Sequence, residues 1–184
     1  MKLAQMPFLV LLIGLPAGCG GREGTERDAS GPTVTSSAFE DGERIPERYT
    51  ADGADVSPPL AFDQLPAGTK ELALICEDPD APGATPWVHW VVYGIDPSAG
   101  GLEEDFEPGE SGAREGRNSW PEGDNLGWRG PAPPPGSGDH RYIFTLYALD
   151  TTIDLARGAA REQLKDAMAS HTLGSGTLTG LYSR

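Results

Sequence analysis

Basic residues are scarce in this chain. Only 14 Lys and Arg stand against 28 Asp and Glu in 184 residues, a formal charge of −14, and no five-residue window holds more than two of them. Nucleic acid is thereby set aside as a partner, because a phosphate backbone is gripped by clustered Lys and Arg. Histidine occurs three times and cysteine twice, with none of the paired spacings of a zinc site. No Gly-x-Ser-x-Gly turn is present to raise a nucleophilic serine. No internal repeat is visible either, and no cofactor is expected.

Long apolar runs are also missing. The stretch Pro7 to Leu15 is too short for a membrane span but suits the apolar segment of a signal peptide, with Lys2 as its short basic start. It ends in Leu15-Pro-Ala-Gly-Cys19, where small residues precede a cysteine as in a bacterial lipobox; Pro16 departs from that pattern. The reading is a signal peptide over 1–18 with lipidation at Cys19, followed by plain secretion and then an uncleaved anchor as alternatives. Cleavage there removes Lys2 and leaves the mature chain more acidic. Residues 19–32 carry Gly, Ser and mixed charge without apolar period and read as a polar tether. Cys76 lies in the run Leu72-Ala-Leu-Ile-Cys76 and reads as a small buried hydrophobe, with a Cys19–Cys76 disulfide as the minor alternative.

What is abundant is glycine, 25 residues, and proline, 17, set into a chain that is 38% hydrophobic. That composition suits one loop-rich domain over 33–184. Apolar and β-prone runs predict strands at Thr33–Phe39, Lys70–Glu77, Trp87–Ile95, Arg141–Leu149 and Thr177–Tyr182. In Trp87–Ile95 both alternating faces are mostly apolar, as expected of a strand covered on both sides. A stripe of Ala160, Leu164, Ala167, Met168 and His171 predicts a helix from about Ala159 to Ser170, with Gly174-Ser-Gly176 as its stop. No period survives between Gly100 and Gly138, which reads as a long loop. Its acidic residues Glu103, Glu104, Asp105 and Glu107 read as a solvated face, with weak divalent-ion binding as the sharper option.

Three segments carry chemistry together: Asp78-Pro-Asp-Ala-Pro82, Trp87-Val-His89, and Gly130-Pro-Ala-Pro-Pro-Pro-Gly-Ser-Gly-Asp-His-Arg-Tyr142. Singly, the first is a good strand terminator and a histidine in a strand is more often a core residue. Taken together, with Phe39 to Pro46, Tyr49 to Gly53, Ser57 to Leu60 and the end Thr179-Gly-Leu-Tyr-Ser-Arg184, they resemble the phosphatidylethanolamine-binding protein family and its bacterial Raf-kinase-inhibitor-like branch. The resemblance implies a mainly β fold, a Greek-key β-sandwich of two antiparallel sheets with a few short peripheral helices. It also implies a small pocket for an anion such as phosphate, phosphoethanolamine or acetate.

Carried over to this sequence, the pocket residues are Asp78, Asp80, Trp87, His89, Pro134, His140 and Tyr142, none of them catalytic and none a metal ligand. Ala132 stands where the family commonly has Gly or Cys. His89, His140 and Tyr142 are expected to donate hydrogen bonds to the anion, and Asp78 to orient an imidazole or meet a ligand ammonium. The implied function is non-enzymatic binding of a small anionic or zwitterionic head group, weak and favoured at lower pH by the acidic domain. Inhibition of a kinase or protease through loop surfaces is the alternative the family suggests, and an Asp/His hydrolase a remote one. The membrane enters only through the lipid anchor.

Overall fold

The computed structural model of the chain describes Met1 and residues 31–109, 111–121 and 125–184. The rest of the signal segment, Cys19 and the tether as far as residue 30 lie outside the described residues. Within them the fold is mainly β, as expected: two antiparallel sheets and one α-helix.

The smaller sheet orders β1 (Thr33–Thr35), β2 (Leu60–Asp63) and β5 (Gly101–Leu102) as β1-β2-β5. The larger contains β3 (Glu71–Asp78), β4 (Trp87–Ile95), β6 (Arg114–Glu115), β7 (His140–Leu149) and β8 (Thr172–Tyr182), in the order β6-β4-β3-β7-β8. Its central strands are buried on both faces, which is why their sequences lack a clean apolar/polar alternation. Leu72, Leu74 and Cys76 of β3 meet Phe144 and Leu146 of β7 and Phe62 of β2 in the core between the sheets. Ala73 and Ile75 point the other way, onto a second core closed by α1 (Arg161–Met168) through Leu164 and Met168.

Three expectations are corrected. The first strand stops at Thr35, because the Ser36 hydroxyl bonds the Pro59 carbonyl at 2.7 Å and receives Ala38 N–H, turning the chain so that Phe39 enters the core. Gly174-Ser-Gly176 does not stop the helix; it lies inside β8, which pairs with β7 along its length. A side chain on Gly176 would collide with the Pro32 backbone, and one on Gly174 would press within 3.3 Å of the Pro32 ring, so the glycines let the incoming backbone lie against the strand. Third, the segment from Gly100 to Gly138 contributes β5 and β6, each too short to show a period. Of the acidic side chains there, Glu104 accepts from Arg48 and from the Tyr49 hydroxyl, the latter at 2.7 Å.

Candidate functional site

The inter-sheet core does not close at one end of the larger sheet. There the last inward residues of β3 and β7 are polar: Asp78 continues the row Leu72, Leu74, Cys76, while Tyr142 and His140 continue Leu146 and Phe144. These rows run into a cavity of about 340 Å³ whose wall includes Asp78, Trp87, His89, Pro134, His140 and Tyr142.

His89 reaches the cavity through a β-bulge. Cys76 pairs with Trp90 but Glu77 pairs with Val88, so His89 is the extra residue on β4. The bulge moves Val88 to the helix-covered core with Val91, and aims His89 to the side where its ring meets Tyr142 edge-on, centroids 4.9 Å apart. Freed from the ladder, the His89 carbonyl accepts from Arg129 N–H at 3.1 Å. The ring returns the contact, Nδ1 lying 2.6 Å from the Arg129 carbonyl. A carbonyl only accepts, so Nδ1 carries the proton and Nε2, which bonds no described residue, is bare in the neutral ring. Burial drives the His89 pKa down to about 4, against the opposing pull of the Arg129 carbonyl and Asp78. At neutral pH His89 therefore offers the cavity an acceptor, not the expected donor.

His140 is committed on both sides. Nδ1 lies 2.8 Å from Asp78 Oδ2, in a pair that is almost fully buried, and Nε2 lies 3.0 Å from the Ser137 hydroxyl. Asp78 Oδ1 accepts the N–H groups of Asp80 and Ala81 at 2.8 and 3.1 Å, which fixes the DPDAP turn. Both Asp78 oxygens thus have protein partners, and the bond to Nδ1 fixes the His140 ring. The Ser137 hydroxyl also lies 2.8 Å from the Pro134 carbonyl, so its single hydrogen serves one of the two contacts at a time.

Tyr142 supplies the group without a partner. Its side chain is fully buried, yet its hydroxyl, with Trp128 Nε1, is one of two buried side-chain polar atoms lacking a hydrogen bond among the described residues. Desolvation, with the nearby Asp78 charge, pushes its pKa far up, so it stays a protonated donor at any physiological pH.

The carried-over set is brought together with one exception. Asp80 does not line the cavity; its Oδ2 and Oδ1 accept from the Arg141 guanidinium at 2.8 Å each, and Oδ2 also takes Arg141 N–H at 3.0 Å. That pairing holds its pKa down to about 2. The turn that seats Asp78 inside necessarily directs Asp80 outward, along the solvent face that β7 gives to Arg141. Conversely, Trp120 was missed: it lies 5.0 Å from His89 and 5.4 Å from Trp87, both edge-on, closing the cavity wall from a segment with no sequence period. Ser137 and Ala81 also went unnoticed, since a loop hydroxyl and a backbone N–H leave no pattern. Among the described residues, no cluster of three or more His, Cys, Asp or Glu is placed to hold a metal ion.

The family model described as phosphatidylethanolamine-binding protein matches residues 35–183. A UPF0098 protein of Methanothermobacter thermautotrophicus is 50% identical over 150 residues, covering 80% of this chain and 95% of its own. LppC of Mycobacterium tuberculosis, named as a lipoprotein, is 38% identical over 193 residues, covering 95% and 92%. Among solved structures, a phosphatidylethanolamine-binding protein homologue from Chlamydia trachomatis superposes with a TM-score of 0.75 at 37% identity, covering 84% of this chain and 98% of its own. YbcL of Escherichia coli, titled a member of the mammalian family, gives 0.76 at 27% identity, covering 83% and 98%.

Proposed function

Since this chain belongs to the phosphatidylethanolamine-binding protein family, we propose that it is a binding protein whose Asp78/His89/His140 cavity holds one small anionic or zwitterionic head group, phosphate or phosphoethanolamine in type. The observation that carries this reading is the Tyr142 hydroxyl, buried at the cavity without a partner. A buried hydroxyl left unbonded costs about 1–3 kcal/mol, which a ligand oxygen would recover. The cavity, about 340 Å³, stands at the small end of ligand pockets and suits a head group better than an acyl chain. Trp87, Trp120 and Pro134 give it apolar walls, so that the few polar groups decide orientation.

Calorimetric titration with phosphoethanolamine tests the reading. The expected result is measurable binding that weakens roughly tenfold or more in Tyr142→Phe, the worth of one hydrogen bond to a charged group, with Tm unchanged or slightly raised. No heat from the parent protein at millimolar ligand would remove the proposal.

The same reading extends to location. Lipid attachment at Cys19 would tie the domain to a cell-envelope membrane, and the lipoprotein name of LppC supports it. Mass spectrometry of the membrane fraction should find acylated Cys19, and Cys19→Ala should release the protein into the soluble fraction.

A hydrolytic reading has one observation in its favour, the order Asp78–His140–Ser137, which is that of an acyl-transfer triad. Against it, the Ser137 hydroxyl also bonds the Pro134 carbonyl and stands outside the cavity wall. Covalent labelling by a fluorophosphonate, lost in Ser137→Ala, would establish it; an unlabelled protein would remove it.

A further inference from the structure

We propose that the cavity selects its ligand in a protonated form: an oxyacid group carrying one acidic hydrogen, such as a phosphate monoester monoanion, which accepts from Tyr142 and donates its own O–H to His89 Nε2. This rests on the head-group reading above and specifies the chemistry of that group.

The reasoning begins with a count of donors and acceptors. Among the aspartate, histidine and tyrosine side chains on the cavity wall, Asp78 already accepts from Asp80 N–H, Ala81 N–H and His140, and both ring nitrogens of His140 lie against Asp78 and Ser137. Two positions in this set have no protein partner at all: the Tyr142 O–H, which here donates, and His89 Nε2, which accepts because Nδ1 is bound to the Arg129 carbonyl. A fully ionised oxyanion matches only the first. Its second oxygen would face the Nε2 lone pair, two acceptors in contact in a desolvated site, which is repulsive. A P–O–H group turns that contact into a hydrogen bond.

The surroundings hold His89 in its neutral state. The titratable and charged groups facing it are Asp78 from the end of β3, His140 and Tyr142 from β7, and Arg129 from the loop, whose guanidinium lies over Trp120 and is paired with Asp55 at 3.6 Å. Burial outweighs the favourable pull of Asp78 on the imidazolium, and His140 adds to it, so His89 does not become a cation until about pH 4. The low-pH preference expected from the sequence thus acquires a different origin: the proton belongs to the ligand.

The experiment compares two probes of one shape on the full chain, methyl phosphate and methyl sulfate, by calorimetry or chemical-shift titration between pH 5 and pH 8. It is run in roughly 0.5 M salt, to screen the overall negative charge. Methyl phosphate is expected to bind with level affinity below its second pKa of about 6 and to weaken about tenfold per pH unit above it. Methyl sulfate, which has no proton to give in this range, should bind at least about tenfold more weakly at pH 5.5 and show a flat profile. In His89→Gln, where the amide can present N–H, the two probes should become equal. Equal binding of sulfate and phosphate by the parent, or a phosphate affinity that holds to pH 8, would overturn the inference while leaving the head-group reading in place. So would 2-aminoethyl sulfate binding as tightly as phosphoethanolamine, because the ammonium would then be the donor to His89. Binding of no probe at all would remove both.

Discussion

Acidification should weaken the folded state through His89. In the unfolded chain its imidazole takes up a proton from pH 6.5 downward; in the folded chain burial delays this to about pH 4. Across that window the unfolded state holds more protons, so stability is whole above 6.5 and is lost as pH falls through it. At 1.36 kcal/mol per pH unit the loss comes to ~2 kcal/mol by pH 5 and ~3 kcal/mol by pH 4, a substantial part of an ordinary domain's 5–15 kcal/mol. Carboxylates held low by partners, such as Asp52, Asp80 and Glu104, begin to contribute only below their ordinary range, which separates them from the interval between 6.5 and 5. Glu115, raised by burial, works in the opposite sense but is common to parent and variant. Urea midpoints at pH 7, 6 and 5 for the parent and His89→Gln give the measurement. The parent should lose ~2 kcal/mol more than the variant over that range. Parallel profiles would refute the assignment of His89 as a buried neutral acceptor.

Four further outcomes follow from the packing. Glu71→Gln should cost about 1–3 kcal/mol in chemical denaturation, because Glu71 is buried with its two oxygens accepting from Gly94 N–H at 2.9 Å and Ile153 N–H at 3.0 Å, and an amide turns a donor toward one of them. Gly180→Ala should lower Tm by roughly 3–9 °C in a thermal melt, since its Cβ would press on Ile45 and stand 2.9 Å from the Phe39 ring. Asp80→Asn should cost at most about 1 kcal/mol, the pair with Arg141 being largely solvated. It should leave phosphoethanolamine affinity unchanged in calorimetry, and a change there would return Asp80 to the site. Cys76, buried and with its thiol pushed well above the usual range by desolvation, should resist maleimide in the native protein and react fully in concentrated guanidinium.

The large sheet was legible because its strands are long and apolar enough to declare themselves. The run Trp87–Ile95 matches β4 to the residue, and α1 falls within the helical stripe on which Leu164 and Met168 are buried. What escaped depends on partners distant in sequence. β2 is four residues between prolines, and β5 and β6 are two residues each, stabilised by neighbours that no local period reveals. The glycines of β8 look like breakers until Pro32 and Ile45 are seen to occupy their missing side-chain space. At the site, the motif named the residues but not their states. That His89 accepts while His140 is fully engaged follows from a bulge opposite Glu77 and from the Arg129 carbonyl, 40 residues away in the chain, and neither is written in the Trp-Val-His triplet.

The place where the chain joins the sheet gives the molecule a direction. Gly31 lies against Ser175, which pairs with Tyr147, seven residues along β7 from His140. At about 3.4 Å per residue this separates the attachment point from the cavity by ~24 Å, about two thirds of the length of the longest strand. A domain hung from its N-terminal segment would carry its cavity at the distal pole, facing away from whatever surface holds the anchor. Were the chain held at Cys19, the dozen residues before Gly31, about 40 Å when drawn out, would decide whether that pole can turn back to the surface.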